Sequence, residues 1–343
     1  MIRPAKTSLF VMTCLWLIFL ATFNFNQNSH AQSKPKGHLT IAYAALNIQT
    51  APLWLAQDEK LFAAEGLEVK MIYIPGGSPA VQSLVSGDLD LAYTSGGALV
   101  SAVLAGYPLK IIAGAVNYYP NAFFSSPDIR FPKDLKGKKV AVSRVGASSY
   151  FITVALLEKL GLKEGEYTIV QLGSTQARIA ALIAGQIQGT TLPAPESLIA
   201  KEAGMRLLVP IQEIRRLGIT TFHMGIAGST DTLGKKSREV QGFLRAFAQG
   251  VALLYTQKEK AIQNLKRHTG IKEMKVLEET YGDHIVIDRF LIPKDEALLA
   301  TLGLLSGTNP KALSARPRDF VDLTFIKRLE EEGLFDRLWR LGR

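Results

Sequence analysis

The sequence has no cysteine beyond its first 31 residues, because its only cysteine is Cys14. Disulfides, thiolate nucleophiles and cysteine-ligated metals are therefore excluded for the remainder of the chain. Histidine is also scarce, at five residues, and none occurs in the H-E-x-x-H spacing of a zinc hydrolase. We accordingly expect no metal ion, no cofactor and no catalytic triad.

Long hydrophobic runs are absent except for one, which spans residues 9–23. Arg3 and Lys6 precede this run, and a small-x-small sequence ending at Ala31 follows it, so residues 1–31 are predicted to be a cleaved signal peptide. An uncleaved membrane anchor is the open alternative, because the run is only slightly shorter than a spanning helix. Export of a chain without disulfides indicates the bacterial periplasm.

The charge is basic but dispersed. Lys and Arg number 40 against 30 Asp and Glu, which gives +10, and loss of Arg3 and Lys6 with the signal would leave 38 against 30, or +8. Because the basic residues are scattered and lack interleaved aromatic residues, nucleic acid is not expected as a partner. The surplus would attract anions weakly over the whole surface.

One motif occurs twice, at residues 71–90 and again at 169–188. Each copy reads as strand, Gly/Ser turn, short helix, glycine stop and strand, and the stop glycines Gly87 and Gly185 are 98 positions apart. The repetition predicts two similar α/β lobes, each directing a polar turn and a helix N-terminus outward from strand ends. Two such lobes facing each other would form a ligand cleft.

Alternating strands and helices predict a doubly wound α/β architecture. Strands of the first lobe are predicted at Leu39–Tyr43, Leu67–Tyr73, Leu89–Tyr93 and Leu109–Val116. This alternation favours a mostly parallel sheet with helices on both faces and a ligand site at the carboxyl ends of the strands.

The order restarts in a second lobe and returns to the first. A strand at Phe222–Ala227 precedes long helices from Ser237 onward, and these helices are predicted to pack on the first lobe. Lobe 1 is thus predicted to comprise 39–121 and 222–343, and lobe 2 to comprise 122–221. Two chain crossings between the lobes would form a hinge.

Two segments resemble catalytic motifs, but neither matches its motif completely. The sequence from Gly146 to Tyr150 lacks the final glycine of a nucleophile elbow. The sequence from Gly228 to Lys236 has one residue too many for a P-loop and has lysine where a magnesium-binding Ser or Thr is required. We therefore expect a protein that is not an enzyme and does not hydrolyse ATP itself.

Five strings together carry a family resemblance: Ala51-Pro52-Leu53-Trp54-Leu55-Ala56, Leu61-Phe62 with Glu65-Gly66-Leu67-Glu68-Val69, the turn Gly76-Gly77, Ser86-Gly87-Asp88-Leu89-Asp90, and the run from Asp134 to Val142. In this order and spacing the chain resembles the solute-binding proteins of nitrate/sulfonate/taurine-type (NitT/TauT) ABC importers, which include binders of thiamine pyrimidine precursors. The resemblance implies a type II periplasmic binding fold, with two lobes closing on one small anionic or heterocyclic solute. It also implies delivery to a membrane permease driven by a separate ATPase. We expect a monomer.

The turn at Gly146-Ala147-Ser148-Ser149 is the first candidate for solute binding. A helix N-terminus carries partial positive charge, and the two hydroxyls of Ser148 and Ser149 can donate to the charged end of a solute. In family members this turn often contacts the anionic head, and Arg144 beside it could add a bidentate pair. The alternative is that Ser148 only caps its helix and Arg144 points to solvent.

Further candidates are polar residues at predicted strand ends of the first lobe, where packing seldom explains them: Asn47, Gln49, Thr50, Thr94, Ser95 and Gly96. Glu196 could meet a ligand amine such as that of taurine, although helix N-termini favour glutamate in any case.

Two alternative functions are open. A periplasmic sensor or accessory protein of the same fold would bind a solute and signal instead of delivering it. An enzyme of the pyrimidine-precursor synthase type is disfavoured, because that branch uses a histidine and a cysteine cluster.

Overall fold

A computed structural model describes residues 37–283 and 285–340, which belong to one compact unit. The predicted signal peptide, its cleavage site and Cys14 lie outside the described residues. Among the residues described, no helix is long and apolar enough to cross a membrane.

The strands, in chain order, are β1 (Gly37–Tyr43), β2 (Leu67–Tyr73), β3 (Leu91–Ser95), β4 (Leu109–Val116), β5 (Ala122–Ser125), β6 (Lys139–Val142), β7 (Thr168–Gln171), β8 (Gly189–Leu192), β9 (Arg206–Val209) and β10 (Met224–Ser229). The helices are α1 (Ala51–Asp58), α2 (Leu61–Ala64), α3 (Gly77–Val85), α4 (Gly96–Leu104), α5 (Ser148–Lys159), α6 (Thr175–Ile183), α7 (Glu196–Glu202), α8 (Ile211–Arg216), α9 (Thr230–Lys235), α10 (Ser237–Thr256), α11 (Lys258–Thr269), α12 (Met274–Asp283), α13 (Asp295–Ser306), α14 (Thr324–Glu331) and α15 (Leu334–Trp339).

The strands form two five-stranded sheets of the same design. The first sheet has the order β2-β1-β3-β10-β4, and the second has the order β7-β6-β8-β5-β9. β1 pairs in parallel with β2 and β3, and β6 pairs in parallel with β7 and β8. The predicted α/β fold class with two doubly wound halves is therefore confirmed.

One strand in each sheet is antiparallel, and the sequence did not indicate this. β10 lies antiparallel between β3 and β4, and β5 lies antiparallel between β8 and β9. Both strands come directly after the chain passes from one sheet to the other, so each enters its sheet from the opposite end. The residue boundaries predicted for the lobes stay a prediction.

The duplicated motif corresponds to equivalent parts of the two sheets. The first copy is β2-α3-β3 and the second is β7-α6-β8. Gly87 and Gly185 end the two helices with φ values of +85° and +69°, a conformation that glycine adopts without strain. The motif thus forms the same supersecondary unit twice.

Two strands were predicted two residues too early. β3 begins at Leu91 instead of Leu89, and β10 begins at Met224 instead of Phe222. Both early residues are buried, but they are not paired in a sheet; the amide of Phe222 instead donates to the carbonyl of Ala297 and to Thr301 Oγ1 (2.8 Å). Apolar character marks burial in the core, and it does not distinguish a strand from the buried chain before it.

The late helices pack on the first sheet, as the sequence predicts. Phe247 of α10 is fully buried, and its ring lies edge-on to Tyr93 of β3 with the ring centroids 5.4 Å apart. α10 also lies very close to α1, because a Cβ added at Gly250 would be 2.2 Å from the carbonyl oxygen of Pro52. Glycine at this position therefore allows the two helices to touch.

Candidate functional site

A cavity of about 70 Å³ lies between the two sheets. It is lined on the side of the first sheet by residues at the ends of β1, β2 and β3, and on the other side by residues following β6, β7 and β8: Ala44, Gly76, Ser95, Ser143, Gly173 and Pro193. The cavity is therefore at the carboxyl ends of the parallel strands, where open α/β sheets bind their ligands.

Two serines hydrogen-bond across the cavity. The hydroxyl oxygens of Ser95 and Ser148 are 2.9 Å apart, and the amide of Ser148 donates to Ser95 Oγ over 3.0 Å. The amide of Gly97 donates to Ser148 Oγ over 3.2 Å. The N-termini of α4 and α5 thus meet at one side of the cavity and join the two sheets directly.

A second pair of cross-cavity hydrogen bonds comes from the repeated motif. Ser78 Oγ donates to the carbonyl oxygen of Val145 (3.1 Å), and Gln176 Nε2 donates to the carbonyl oxygen of Leu46 (3.1 Å). Ser78 and Gln176 are 98 positions apart, as are the stop glycines, and their acceptors follow the equivalent strands β1 and β6. The two copies therefore join the two sheets in the same way from opposite sides.

Five of the residues predicted from sequence line the cavity: Asn47, Gln49, Ser95, Ser148 and Ser149. Asn47 Oδ1 accepts from the amide of Gln49 over 3.0 Å and orders the loop that both occupy. Ser149 Oγ accepts from the amide of Ser143 and lies 2.7 Å from its hydroxyl. Both serine hydroxyls of α5 therefore have protein partners, and their contact with a solute stays a prediction.

Three other predicted residues of the first sheet lie behind the cavity wall. Thr50 Oγ1 donates to the carbonyl oxygen of Ala45 over 2.8 Å. Thr94 is fully buried and contacts the backbone of Gly77. The amide of Gly96 donates to the carbonyl oxygen of His223. These residues shape the backbone that lines the cavity, and they are not part of its lining.

Arg144 and Gly146 also lie outside the lining. Arg144 is half-buried, and its guanidinium donates to the carbonyl oxygen of Gln171 over 3.4 Å. Gly146 has φ +84° and turns the chain into α5. The structure therefore places the predicted turn at the cavity, but only its last two residues, Ser148 and Ser149, together with Ala147, face the cavity.

Glu196 begins α7 and is buried beside the cavity without lining it. Its Oε1 accepts from Gln176 Nε2 over 2.7 Å, whereas Oε2 has no hydrogen-bond partner among the described residues. Burial raises the pKa of this carboxyl to about 8, and a backbone hydrogen bond and the charge of Arg178 oppose that rise. Glu196 is therefore mostly protonated at neutral pH.

Arg178 lines the cavity, but it was not predicted from the sequence as a site residue. It belongs to α6 and is only 4% exposed. Its Nη1 donates to the carbonyl oxygen of Thr191 (2.6 Å) and to Thr190 Oγ1 (3.2 Å), and its Nη2 donates to Thr175 Oγ1 (3.2 Å). Nε has no partner within the described part of the chain.

Polar groups surround Arg178 at this end of the cavity. The hydroxyl of Tyr119 lies 2.6 Å from Thr191 Oγ1, and the ring of Tyr119 lies edge-on to His223 with centroids 5.1 Å apart. Burial and the charge of Arg178 lower the pKa of His223 to about 3, so this imidazole is neutral. Asn121 Oδ1 and His223 Nδ1 are buried and lack partners among the residues described.

A signal for Arg178 was present in the repeat. With the 98-residue offset, Arg178 corresponds to Ala80 of the first copy, which is fully buried. Charged residues are rarely buried, so an arginine at a helix position that holds a small apolar residue in the other copy indicates a special role.

The arrangement is suited to enclosing a small solute. Residues from both sheets contribute to its walls, direct hydrogen bonds join the sheets around it, and several buried N and O atoms of residues at or beside it lack partners among the described residues. A solute could satisfy these atoms, and leaving them unsatisfied is costly.

Comparison with known proteins gives relatives that bind solutes. The riboflavin-binding protein RibY of Chloroflexus aurantiacus is 26% identical over 216 residues, covering 60% of this chain and 59% of that protein. The taurine-binding periplasmic protein of Escherichia coli is 27% identical over 211 residues, covering 61% of this chain and 64% of that protein. Each match thus spans less than two thirds of the relative's length.

An enzyme and a solved structure are also similar. The 4-amino-5-hydroxymethyl-2-methylpyrimidine phosphate synthase of Schizosaccharomyces pombe is 27% identical over 140 residues, 40% of this chain and 39% of that protein. The alkanesulfonate-binding protein SsuA from Xanthomonas axonopodis pv. citri, solved with bound MOPS, has a TM-score of 0.66 at 21% identity, covering 85% of this chain and 96% of that chain. A family model described as NMT1/THI5 like matches residues 47–261, more than half of the chain, and the chain therefore belongs to this family.

Proposed function

We propose that this protein is the periplasmic solute-binding component of an ABC importer. It traps a small anionic or heterocyclic solute between its two sheets and delivers it to a membrane permease that a separate ATPase drives. The observation that carries the proposal is the cavity itself, which has walls from both sheets and cross-cavity hydrogen bonds at Ser95–Ser148, Ser78–Val145 and Gln176–Leu46.

This geometry favours binding by closure. A solute held between the two sheets would be released when the sheets separate, and the few hydrogen bonds between them can break and re-form. The relatives named for riboflavin binding and taurine binding support a binding role. We propose accordingly that the protein binds its solute without transforming it, acts as a monomer and works in the periplasm.

A solute screen tests the proposal. Protein exported and purified from a bacterial periplasm would be tested by thermal shift against nitrate, bicarbonate, taurine, alkanesulfonates, pyrimidines, aromatic acids and riboflavin. A solute at a hundred times its dissociation constant should stabilise the protein by about 2.7 kcal/mol. X-ray scattering should show that the same solute makes the protein more compact.

Two outcomes would contradict the proposal. If no solute in the screen raises the melting temperature, the solute class implied by the family is wrong. If a pull-down recovers a histidine kinase and no permease, the protein is a sensor. Mass spectrometry of the same preparation would show whether the chain is cut after Ala31.

A further inference from the structure

The guanidinium of Arg178 has donors that the protein leaves free. An arginine has five N–H groups. Oxygen atoms of Thr190 and Thr191 accept from Nη1, and Thr175 Oγ1 accepts from Nη2. Nε–H has no acceptor among the described residues. Nε and Nη2 share one edge of the planar guanidinium, and a group with two oxygens can accept from both nitrogens.

The positive charge of Arg178 has no ion-pair partner among the described residues. Glu196 is the acid whose charge, when ionised, acts on it. Burial raises the pKa of Glu196, and the neighbours Tyr119 and His223 are neutral at pH 7 because burial raises the pKa of the first and lowers that of the second. A buried charge without a partner is strongly unfavourable.

The cavity beside Arg178 is small. A volume of about 70 Å³ has room for only a few water molecules. It suits a solute of few non-hydrogen atoms in this conformation, whereas a ring system the size of a flavin would require the sheets to move apart.

We infer that Arg178 is the charge-recognition residue of this cavity: the negative charge of a small bound oxyanion is the counter-ion of its guanidinium. This inference rests on the proposed function and assigns the charge recognition to α6 of the second motif copy. Asn121 lines the same end of the cavity, and its side-chain oxygen, which has no partner among the residues described, could accept from an N–H or O–H group elsewhere on the solute.

Matched pairs of small molecules test this inference on the unaltered protein. Sodium acetate and methanesulfonate would be compared with the neutral acetamide and methanesulfonamide, with sodium nitrate and bicarbonate as further oxyanions, all at constant ionic strength. Calorimetry and thermal shift should detect at least one oxyanion, and an anion that binds should bind at least about 100-fold more tightly than its amide.

Three variants locate the charge. Arg178→Met should weaken oxyanion binding by at least about 100-fold, and Arg178→Lys, which keeps the charge but loses the planar edge, by about 10-fold. Arg206→Met is the control, because Arg206 is an exposed arginine of the second sheet that donates to the carbonyl oxygen of Pro127. It removes the same net charge and should change affinity less than about twofold.

The outcomes separate the two proposals. Without solute, Arg178→Met should melt at the same temperature as the unaltered protein or higher, because it removes a buried unpaired charge. If acetamide binds as well as acetate, if only a neutral heterocycle binds, or if Arg178→Met retains oxyanion affinity, the inference is wrong and the proposed function stands. If neither oxyanions nor heterocycles bind the unaltered protein, the proposed function fails and the inference fails with it.

Discussion

Glu196→Gln should remove a pH dependence from the stability of this protein. Glu196 is 3% exposed, and burial raises its pKa from 4.5 to about 8. Between these two pH values the folded protein keeps a proton that the unfolded chain has lost. Stability therefore falls as the pH rises through this window, and the loss is complete above the folded-state pKa.

The magnitude follows from the shift. One pKa unit corresponds to about 1.4 kcal/mol, so the free energy of unfolding should fall by about 3 kcal/mol between pH 5 and pH 8 because of this residue alone. Glutamine has the shape of a protonated glutamate and keeps an oxygen that can accept from Gln176. The Glu196→Gln variant should therefore match the unaltered protein near pH 5 and exceed it in stability at pH 8.

Urea unfolding at several pH values measures this difference directly. Glu213→Gln is the control: Glu213 is a partly exposed residue of α8 that pairs with Arg216, and hydrogen bonding to this arginine lowers its pKa. Its contribution is lost only at acidic pH, so its profile between pH 5 and 8 should parallel that of the unaltered protein. Arg178→Met should shift the Glu196 transition upward, because the charge of Arg178 favours the ionised carboxylate.

Parallel stability profiles for Glu196→Gln and the unaltered protein across this range would refute the reasoning. They would show that Glu196 ionises normally in the folded protein and that its Oε2 is solvated. In that case the ionised carboxylate of Glu196 would neutralise part of the charge of Arg178, and Arg178 would have less need of a counter-ion from the solute.

Two further predictions concern the cavity and the core. Ser148→Ala should weaken solute binding about 5- to 10-fold by calorimetry, with little change in solute-free stability. Ser149→Ala should mainly lower the melting temperature, because the Ser149 hydroxyl bonds to Ser143 within the same half. If Ser148→Ala lowers stability and leaves affinity unchanged, Ser148 is a helix cap only. Gly250→Ala should destabilise the protein by roughly 1–3 kcal/mol in urea unfolding, because its Cβ would meet the carbonyl of Pro52. Gly303→Ala, in open space on helix α13, should stabilise by up to about 1 kcal/mol, and equal effects of the two glycine variants would contradict the packing of α10 on α1.

Local sequence patterns predicted most of the fold. Apolar and alternating runs locate β1, β2 and β4 within two residues of their bounds. β5 was missed because its four residues are all buried and show no alternation. The antiparallel position of β5 and β10 depends on contacts between distant segments, which no local pattern records.

The candidate site was predictable in place but not in detail. Because ligands bind at the carboxyl ends of parallel strands, the polar turns at Asn47, Ser95 and Ser148 were expected at one cavity, and all three line it. The sequence could not show that Thr50 and Arg144 bond to neighbouring backbone instead, because a hydroxyl or guanidinium near a strand end can serve either purpose. The choice depends on the path of the loop backbone.

The two motif copies differ at a buried position, and this difference bears on the nature of the solute. Equivalent positions in the copies have equivalent places in the fold: Ser78 and Gln176 both reach across the cavity to a backbone carbonyl. Ala80 is fully buried, so the equivalent Arg178 is held in a buried position by the same framework. The first copy fills this place with alanine, so the repeated framework alone does not call for a charge, and we therefore propose that Arg178 is present because the cavity binds an anionic solute.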